Sequence, residues 1–510
     1  MTIFGGVSMW GKALTNVLGG ASFLAAWLAC PGAPAEVAKG ANRPNIVYIL
    51  ADDLGFGDVR AFNLESKIAV PHLDRLAAEG RIFTDAHSGS AVCTPTRYGI
   101  LTGRYAWRSR LKQGVLGGYS PPLVEPGRVT VPSFLKQQGY RTACIGKWHL
   151  GLDWSTRSRQ HFGDAIQPGG NIGEVDYTAP IGNGPTSRGF DEFFGISASL
   201  DMPPFLFIRN DRCVGTPTTV KTYLRAGPAT TDFEAVDVLP SLVREASAFL
   251  DRQRGGTTPF FLYLALSAPH TPLLPSSLYA GKSGLGPYAD FVLQVDSAIG
   301  TILDALARNG QDGKTLVIVT SDNGCSPMAD FKALATRGHD PNRPWRGAKA
   351  DIFEGGHRIP FLARWPGQIP AGTRCGDTIC LTDLLATCAG ILGTQLPSNA
   401  GEDSVNLLPD LLGTAREPLR EATVHHSING SFAIRQGPWK LALCRDSGGW
   451  SDPKPGSSEA KKLPEVQLYN LNDDPAEQRN MQAEKPEIVG RLTRLLERYV
   501  DEGRSVPKPL

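Results

Sequence analysis

The chain of 510 residues carries 52 Lys and Arg against 50 Asp and Glu, which gives a formal net charge of +2 at pH 7. This near balance excludes a protein that binds nucleic acid through a strongly basic surface. Hydrophobic residues make up 41% and charged residues 20%, so a disordered polyelectrolyte is excluded and a large buried core is possible.

The N-terminal segment is typical of an export signal. Lys12 supplies the positive charge, and the apolar run from Val17 to Ala29 is too short for a comfortable membrane span. Ala33 to Ala35 fits a cleavage site, so residues 1–35 are predicted to be a signal peptide, with lipid attachment at Cys30 as the alternative. We therefore expect an exported protein, periplasmic or extracellular, without a stable membrane span.

Buried strands alternate with amphipathic helices through most of the chain. In chain order we predict a strand at 45–50, helices at 71–80 and 131–139, strands at 140–145 and 260–266, a helix at 288–309 and a strand at 315–320. Continuous apolar runs are typical of strands that are buried on both faces of a sheet. The predicted fold class is α/β, with a large central sheet, mixed but mostly parallel, flanked by helices.

The pattern changes near residue 420, where the predicted strands become shorter and more polar. They are expected at 432–442 and 466–469, before an amphipathic helix at 486–500. We therefore predict a large domain over residues 43–415. A smaller C-terminal α+β domain, with a short antiparallel sheet and a helix, is predicted over residues 420–510.

Acidic side chains follow two of the predicted buried strands. Asp52 and Asp53 come just after the first strand, and Asp322 and Asn323 come just after the strand at 315–320. Open α/β sheets build their sites at the carboxyl ends of the strands. Both members of a pair can face one ion only if the chain turns there, because successive strand residues point to opposite faces. Three carboxylates and one amide oxygen suit Ca²⁺ or Mg²⁺, with two ordinary turns as the alternative.

The segment from Ala91 to Gly103 combines a cysteine, a proline and an arginine at the start of a predicted helix. Pro95 fits the first helical turn, which places Cys93 at the positive end of the helix dipole. Arg97 lies four residues beyond Cys93 on the same helical face and can reach back toward it. A buried cysteine near a capped helix is the alternative.

This segment resembles the first signature of the type I sulfatases of the alkaline phosphatase superfamily, whose core is Cys-x-Pro-x-Arg. The run from Gly139 to His149 is similar to the second signature of that family, and the best match is to its arylsulfatase A-like group. The resemblance continues in chain order through Asp52-Asp53, Ala268-Pro269-His270, Asp322-Asn323, Gly347-Ala348-Lys349, residues 354–360 and residues 468–475.

The resemblance implies a sulfatase, with residues 43–415 as its catalytic domain. Cys93 would be converted by a separate formylglycine-generating enzyme to formylglycine, whose hydrate is the nucleophile. The substrate would be an aryl sulfate in vitro and a sulfated glycan in nature. The ligands of Ca²⁺, which is expected rather than Mg²⁺, would be Asp52, Asp53, Asp322, Asn323 and the modified residue 93.

The resemblance also implies roles for the cationic side chains. Arg97, Lys147 and Lys349 would offset the negative charge of the sulfate group. His270 would bind the sulfate and, with Lys349, neutralise the leaving oxygen. His149 would take the proton that allows sulfate to leave the enzyme. We expect Lys147 and His149, two residues apart, to point the same way on an extended segment.

Three further features have two interpretations each. Ser199 lies in a run that resembles a sulfate-binding stretch of relatives, but it could equally face solvent. The loop from Arg337 to Arg346 could stack a sulfated sugar on Trp345 or be a solvated charged loop. His425 and His426 match no motif, and we interpret them as surface or substrate-cleft residues.

Two other functions are compatible with the same motifs. One is a phosphonate or phosphate diester hydrolase of the same superfamily, which relative rates on aryl sulfate and aryl phosphodiester substrates would distinguish. The other is an inactive glycan-binding homologue, which an unmodified thiol at Cys93 would favour. A nucleic-acid partner is not expected.

Overall fold

The computed structural model describes residues 43–158, 162–164 and 172–508. The predicted signal peptide and Cys30 lie outside these residues. Within them, no helix combines the length and the apolar character that crossing a bilayer requires.

The described residues form a series of strands and helices that alternate as far as residue 412. The strands are β1 Asn45–Ala51, β2 Arg81–Phe83, β3 Ala86–His87, β4 Arg141–Lys147, β5 Glu192–Ile196, β6 Phe207–Arg209, β7 Arg212–Val214, β8 Thr219–Tyr223, β9 Arg225–Ala229, β10 Phe260–Ala265, β11 Thr315–Ser321, β12 Phe361–Arg364, β13 Thr373–Cys375, β14 Ile379–Cys380, β15 Thr423–His426, β16 Phe432–Gln436, β17 Trp439–Ala442 and β18 Gln467–Asn470. The helices are α1 Pro71–Glu79, α2 Cys93–Thr102, α3 Val131–Gln137, α4 Val238–Arg252, α5 Pro287–Arg308, α6 Phe331–Thr336, α7 Glu354–His357, α8 Leu384–Ile391, α9 Leu408–Leu412 and α10 Pro486–Asp501.

The central sheet has the strand order β13-β2-β12-β11-β1-β10-β4-β5-β6-β7. The strands β11, β1, β10, β4 and β5 run parallel in the middle of the sheet. Antiparallel pairs occur toward both edges, at β11–β12, β12–β2, β5–β6 and β6–β7. The predicted α/β class with a mixed, mostly parallel central sheet is confirmed.

Helices cover both faces of this sheet, which explains why the middle positions of its central strands are mostly hydrophobic. Val47 and Ile49 of β1 pack in one core with α1, α4 and α5. Ile46 and Tyr48 point the other way, into a second core with α2, α3 and α8. Because alternate residues of β1 enter different cores, all positions from Ile46 to Ala51 have to be hydrophobic.

A smaller antiparallel sheet, β15-β16-β17-β18, follows near the C terminus. One face packs against α10, with Leu492 and Ile434 in a shared core. The other face contacts Ile352 and Phe353, just before α7. The predicted short antiparallel sheet and final helix are confirmed, although 432–442 forms a hairpin of two strands. The domain boundary at residues 415–420 stays a prediction.

Candidate active site

Four neighbouring parallel strands of the central sheet end at the same level. In the register of the sheet, Ala51 of β1 pairs with Ser321 of β11, and Ala265 of β10 pairs with Gly146 of β4. The residues after these positions therefore meet at one edge of the sheet. They are Asp52, Asp53, Asp322, Asn323, His270 and Lys147.

The turn that the acidic pairs require is present after β1. Asp53 has a φ of 70°, a left-handed conformation that is uncommon outside glycine and more frequent for aspartate. The backbone N–H of Asp53 donates to Oδ1 of Asp322 at 3.2 Å, and Nδ2 of Asn323 donates to Oδ1 of Asp53 at 2.7 Å. Both acidic pairs thus share one buried cluster.

Two lysines reach this cluster from other parts of the chain. Nζ of Lys147 lies 2.6 Å from Oδ2 of Asp52. Nζ of Lys349 lies 2.6 and 2.8 Å from the two carboxylate oxygens of Asp53. Although burial opposes it, the Asp53 charge holds the pKa of Lys349 above its ordinary value, so this side chain stays positive.

Arg97 completes the set of cations around the carboxylates. Its Nε and Nη2 donate to Oδ2 of Asp322 at 3.1 and 2.8 Å, and its Nη1 donates to the carbonyl of Lys147 at 3.1 Å. Arg97 and Asp322 are fully buried. The predicted Arg97 is therefore tied to the carboxylate cluster as well as to the helix of Cys93.

Replacing Arg97 with methionine should lower the free energy of unfolding by about 3–5 kcal/mol, because it leaves a buried carboxylate without its cation. Urea denaturation measures the change. Glu484→Gln, which breaks the exposed pair with Arg479, is the control and should cost about 1 kcal/mol or less. Equal losses for the two variants would contradict the buried ion pair.

The oxygen atoms of the cluster fit a hard divalent cation. Oδ1 of Asp52 and Oδ1 of Asn323 are buried without a hydrogen-bond partner. The amide nitrogen of Asn323 is already occupied by Asp53 and by a backbone carbonyl, so its oxygen is left for another ligand. Burial and the negative charge of Asp52 raise the pKa of Asp322 to about 7, as expected where carboxylates crowd a cation position. Carboxylate and amide oxygens are the ligands that Ca²⁺ prefers.

Cys93 begins α2, as the sequence predicts, and all ten residues of this helix are buried. The Cys93 side chain lines a pocket of about 380 Å³ together with His270, Lys349 and Ser199. Burial raises the pKa of the Cys93 thiol despite the nearby Lys147. An unmodified Cys93 would therefore be a neutral thiol at pH 7 and a weak nucleophile.

Ser199 belongs to the wall of this pocket and does not face open solvent. It is buried, and its Oγ has no hydrogen-bond partner. Ser199 lies beside the same cavity as Cys93, and its role as a substrate ligand stays a prediction.

His149 has a different environment from the one expected. The strand β4 ends at Lys147, and His149 has a φ of 57°, so the expected extended segment is wrong. Its Nε2–H donates to the carbonyl of Leu116 at 2.7 Å, which leaves Nδ1 buried, with a lone pair and no protein partner. Burial, reinforced by Lys147 and Arg97, holds the pKa of His149 well below its ordinary value.

Two other sequence interpretations change. Trp345 packs edge-on against Phe56 and lies under the guanidinium of Arg358, so it is not placed to stack a sugar in the pocket. Trp450 lines the pocket instead. His426 is buried, which makes its interpretation as a surface residue wrong.

His425 is also buried, in a cluster with His87 and His357 that lies between β3, α7 and the C-terminal sheet. Its ring stacks on His357 at 3.9 Å with an interplanar angle of 7°. His357 in turn contacts His87 through Nδ1 at 3.1 Å and Lys440 through Nε2 at 3.1 Å. One ion cannot lie in the planes of two parallel stacked rings, so this group is better suited to packing than to metal binding.

The pocket residues that sequence reasoning missed include Asp201, Arg225 and Trp450. None of them lies in a motif or at the end of a strand of the central sheet. Arg225 begins β9 in a separate two-stranded hairpin, and Trp450 lies in a loop after β17. No local signal marks such residues, because only the tertiary fold brings them to the pocket.

Comparison with known proteins identifies the class to which this fold and site belong. The family model described as Sulfatase matches residues 44–394. The chain therefore belongs to the sulfatase family, and its relatives place it in the arylsulfatase A-like group. Enzymes of this family are sulfuric ester hydrolases, and this is the enzyme class of the protein.

Individual relatives are similar over almost the whole chain. An N-acetylgalactosamine-6-O-sulfatase of Bacteroides thetaiotaomicron is 33% identical, with 90% of this chain and 93% of the relative covered. Human arylsulfatase A is 33% identical over 89% of this chain and 87% of its own. A solved sulfatase structure from work on glycosaminoglycan metabolism in Bacteroides thetaiotaomicron has a TM-score of 0.77 and 32% identity, covering 90% of this chain and 99% of that one.

Proposed function

We propose that the protein removes sulfate from carbohydrate sulfate esters after export, using a formylglycine formed from Cys93 and a bound Ca²⁺. The formylglycine-generating enzyme would be its maturation partner. One observation carries the proposal: Cys93 lines a pocket beside a buried oxygen cluster in which Asp52 and Asn323 each leave an oxygen unpartnered. The proposed ligands of Ca²⁺ are Asp52, Asp53, Asp322, Asn323 and the modified residue 93.

Two groups that the chain would acquire supply part of the chemistry. Bound Ca²⁺ would act as a Lewis acid and lower the pKa of a hydroxyl nucleophile. Formylglycine hydrate would supply that hydroxyl together with a second one on the same carbon. The remaining tasks, which are charge neutralisation and proton transfer, fall to side chains of this protein.

We assign Lys349 and His270 to the binding of the sulfate group, and the support for this assignment is that both line the pocket beside Cys93. Nδ1–H of His270 donates to the carbonyl of Thr271 at 2.5 Å, so Nε2 is the nitrogen left for the substrate. Burial and the charge of Lys349 lower the pKa of His270. A bound sulfate ester favours the protonated ring, and an imidazolium of lowered pKa gives its proton readily to the leaving oxygen.

Lys147 and Arg97 contribute positive charge from beneath the pocket, where neither is exposed. Their contacts with Asp52 and Asp322 fix their positions before substrate binds. Fixed charges in a buried site stabilise a transferring anionic group without the cost of reorganisation. We assign these two residues to that role.

His149 is the proposed base for the step that releases sulfate, so its titration should appear in the pH dependence of kcat. Because the pKa of His149 is lowered, the ring stays neutral at pH 7 and loses its base form only as the pH falls through the lowered pKa. The acid limb of kcat should therefore have its midpoint below pH 6.5. A midpoint at or above 6.5 that disappears in His149→Gln would contradict this assignment.

Mass spectrometry of the proteolytic peptide that contains Cys93 tests the central point. In protein from the native host, we expect the mass of formylglycine or its hydrate at this position. Cys325, another buried free cysteine, serves as the internal control and should remain a thiol. An unmodified Cys93 in catalytically active protein would refute the proposed nucleophile.

The diester hydrolase alternative is tested on the same preparation. We expect aryl sulfate to be hydrolysed with a higher kcat/KM than an aryl phosphodiester with the same leaving group. The two substrates release the same phenoxide beside His270 and Lys349. The ratio of their kcat/KM values therefore reports only on the transferred group. A dominant diesterase rate would overturn the sulfatase assignment of the site.

A further inference from the structure

The pocket contains a second polar group that the sulfate chemistry does not use. Asp201 lines the pocket and is 5% exposed. Its Oδ2 accepts a hydrogen bond from Nη1 of Arg225, whereas its Oδ1 is buried without any partner. A buried carboxylate oxygen without a donor is unfavourable, so a donor from the pocket side is expected when the site is filled.

The charge of this second group decides which ligands suit it. Arg225 and Asp201 form an ion pair, so together they add no net charge to the pocket. The other lining residues that can carry a positive charge, Lys349 and His270, are already assigned to the binding of the transferred sulfate group. No unpaired cation among the described lining residues is therefore left to receive a second sulfate or a carboxylate.

A hydroxyl group satisfies both members of the pair. Its O–H can donate to the free oxygen of Asp201, and its oxygen can accept from the guanidinium of Arg225, which has five N–H donors. A phenol or an alkyl chain has no such hydroxyl beyond the ester oxygen itself. The pair therefore favours a leaving group with several hydroxyls, such as a sugar ring.

The mouth of the same pocket is apolar. Leu224, Met328 and Trp450 are exposed and all line it. Leu224 forms the tip of the β8–β9 hairpin, between the paired residues Tyr223 and Arg225, and has a φ of 69°. A leucine with positive φ is strained, and such strain is concentrated at functional sites.

We propose that Asp201 and Arg225 bind a hydroxyl of an uncharged sugar ring that carries the sulfate, and that the apolar face of this ring packs on Trp450. Aromatic side chains suit such a face because they offer a large, flat apolar surface. The inference rests on the proposed function and narrows its substrate to monosulfated neutral hexoses or N-acetylhexosamines. Uronic acids and disulfated sugars fit this pocket less well.

Asp201→Asn tests the inference, because it keeps the shape of the side chain and removes its charge. We expect kcat/KM to fall roughly 10- to 100-fold on the best substrate from a panel of monosulfated hexoses and N-acetylhexosamines. On 4-nitrophenyl sulfate, which has no sugar hydroxyl, kcat/KM should change by less than about twofold. Arg225→Gln, which removes the charge of the partner of Asp201 and keeps a hydrogen-bond donor, should show the same selective loss and serves as a second variant if Asp201→Asn does not fold.

Glu234→Gln is the matched control, because Glu234 forms an ion pair with Lys221 on the same hairpin at 2.7 Å, away from the lining of the pocket. The Glu234→Gln variant should leave kcat/KM unchanged on both the sugar sulfate and 4-nitrophenyl sulfate. Equal losses on sugar and aryl sulfate for Asp201→Asn would show a structural role and overturn the inference. A wild-type preference for uronate-containing or disulfated sugars would also overturn it. Failure to hydrolyse any sulfate ester, aryl sulfate included, would instead refute the proposed function, and the inference with it.

Discussion

Cys93→Ala should lower kcat for aryl sulfate hydrolysis by at least about 10³-fold, because removal of a catalytic nucleophile costs this much or more. The substitution removes only the Sγ atom, and the other residues of α2 keep their buried contacts. We therefore expect circular dichroism and the urea midpoint to stay close to those of the unsubstituted protein. Steady-state kinetics with 4-nitrophenyl sulfate measures the loss.

Cys93→Ser separates the proposed chemistry from a simple loss of the side chain. A serine offers one hydroxyl and lacks the second, so it can accept a sulfate but cannot expel it. We expect no turnover and a stable sulfate ester on this peptide in the mass spectrum. Cys213→Ser, at a half-buried cysteine of the edge strand β7, is the control and should keep full activity. Turnover by Cys93→Ala would show that the nucleophile lies elsewhere.

The second large effect is expected when a proposed ligand of Ca²⁺ is substituted or the cation itself is removed. Asp52→Asn should lower kcat at least about 10²-fold, because a neutral amide replaces a charged ligand of the proposed cation. Prolonged dialysis against a chelator should produce a similar loss in the unsubstituted protein, reversed by added Ca²⁺. Titration calorimetry of the dialysed protein with Ca²⁺ gives a readout that does not depend on activity.

Asp58→Asn is the control for this prediction. Asp58 is buried only six residues beyond Asp52, but its side chain contacts His339, Tyr288 and the N–H of Gly55 and none of the proposed ligand oxygens, although the Tyr288 hydroxyl also donates to the backbone carbonyl of Asp53. The Asp58→Asn variant should bind Ca²⁺ with the same affinity as the unsubstituted protein, whatever effect the substitution has on stability. If Asp52→Asn binds Ca²⁺ with unchanged affinity, or if chelation leaves activity intact, the proposed cation site is wrong.

The central fold could be predicted because its strands are buried on both faces. The run from Ile46 to Leu50 consists only of hydrophobic residues, and this pattern has few explanations besides a central strand. The helix α4 carries Leu242, Ala246 and Phe249 at helical spacing, so this helix is also predictable from the sequence. Short edge strands such as β6 and β7 carry no pattern long enough to be found.

The strand pattern predicts only the part of the candidate site that follows the ends of strands, whereas the resemblance to the sulfatase motifs indicates Cys93, Arg97 and Lys349. Asp52, Asp322 and Lys147 are close in space because β1, β11 and β4 share one sheet, which the sequence pattern reveals. The conformation of His149 depends on where β4 stops, and this is set by the neighbouring strands. The sugar-binding group of Asp201 and Arg225 depends on the position of a hairpin, which nothing in its local sequence specifies.

The burial of α2 has a consequence for the order of events in biosynthesis. Cys93 is 2% exposed, and every residue of its helix is covered by the rest of the protein. An enzyme that oxidised this thiol would need access to the residues around it, and in the folded protein all residues of α2 are buried. Maturation of the nucleophile would therefore have to precede tertiary packing, on a nascent or still unfolded polypeptide. A purified chain that had folded before Cys93 was modified would stay inactive even after prolonged incubation with the oxidising enzyme.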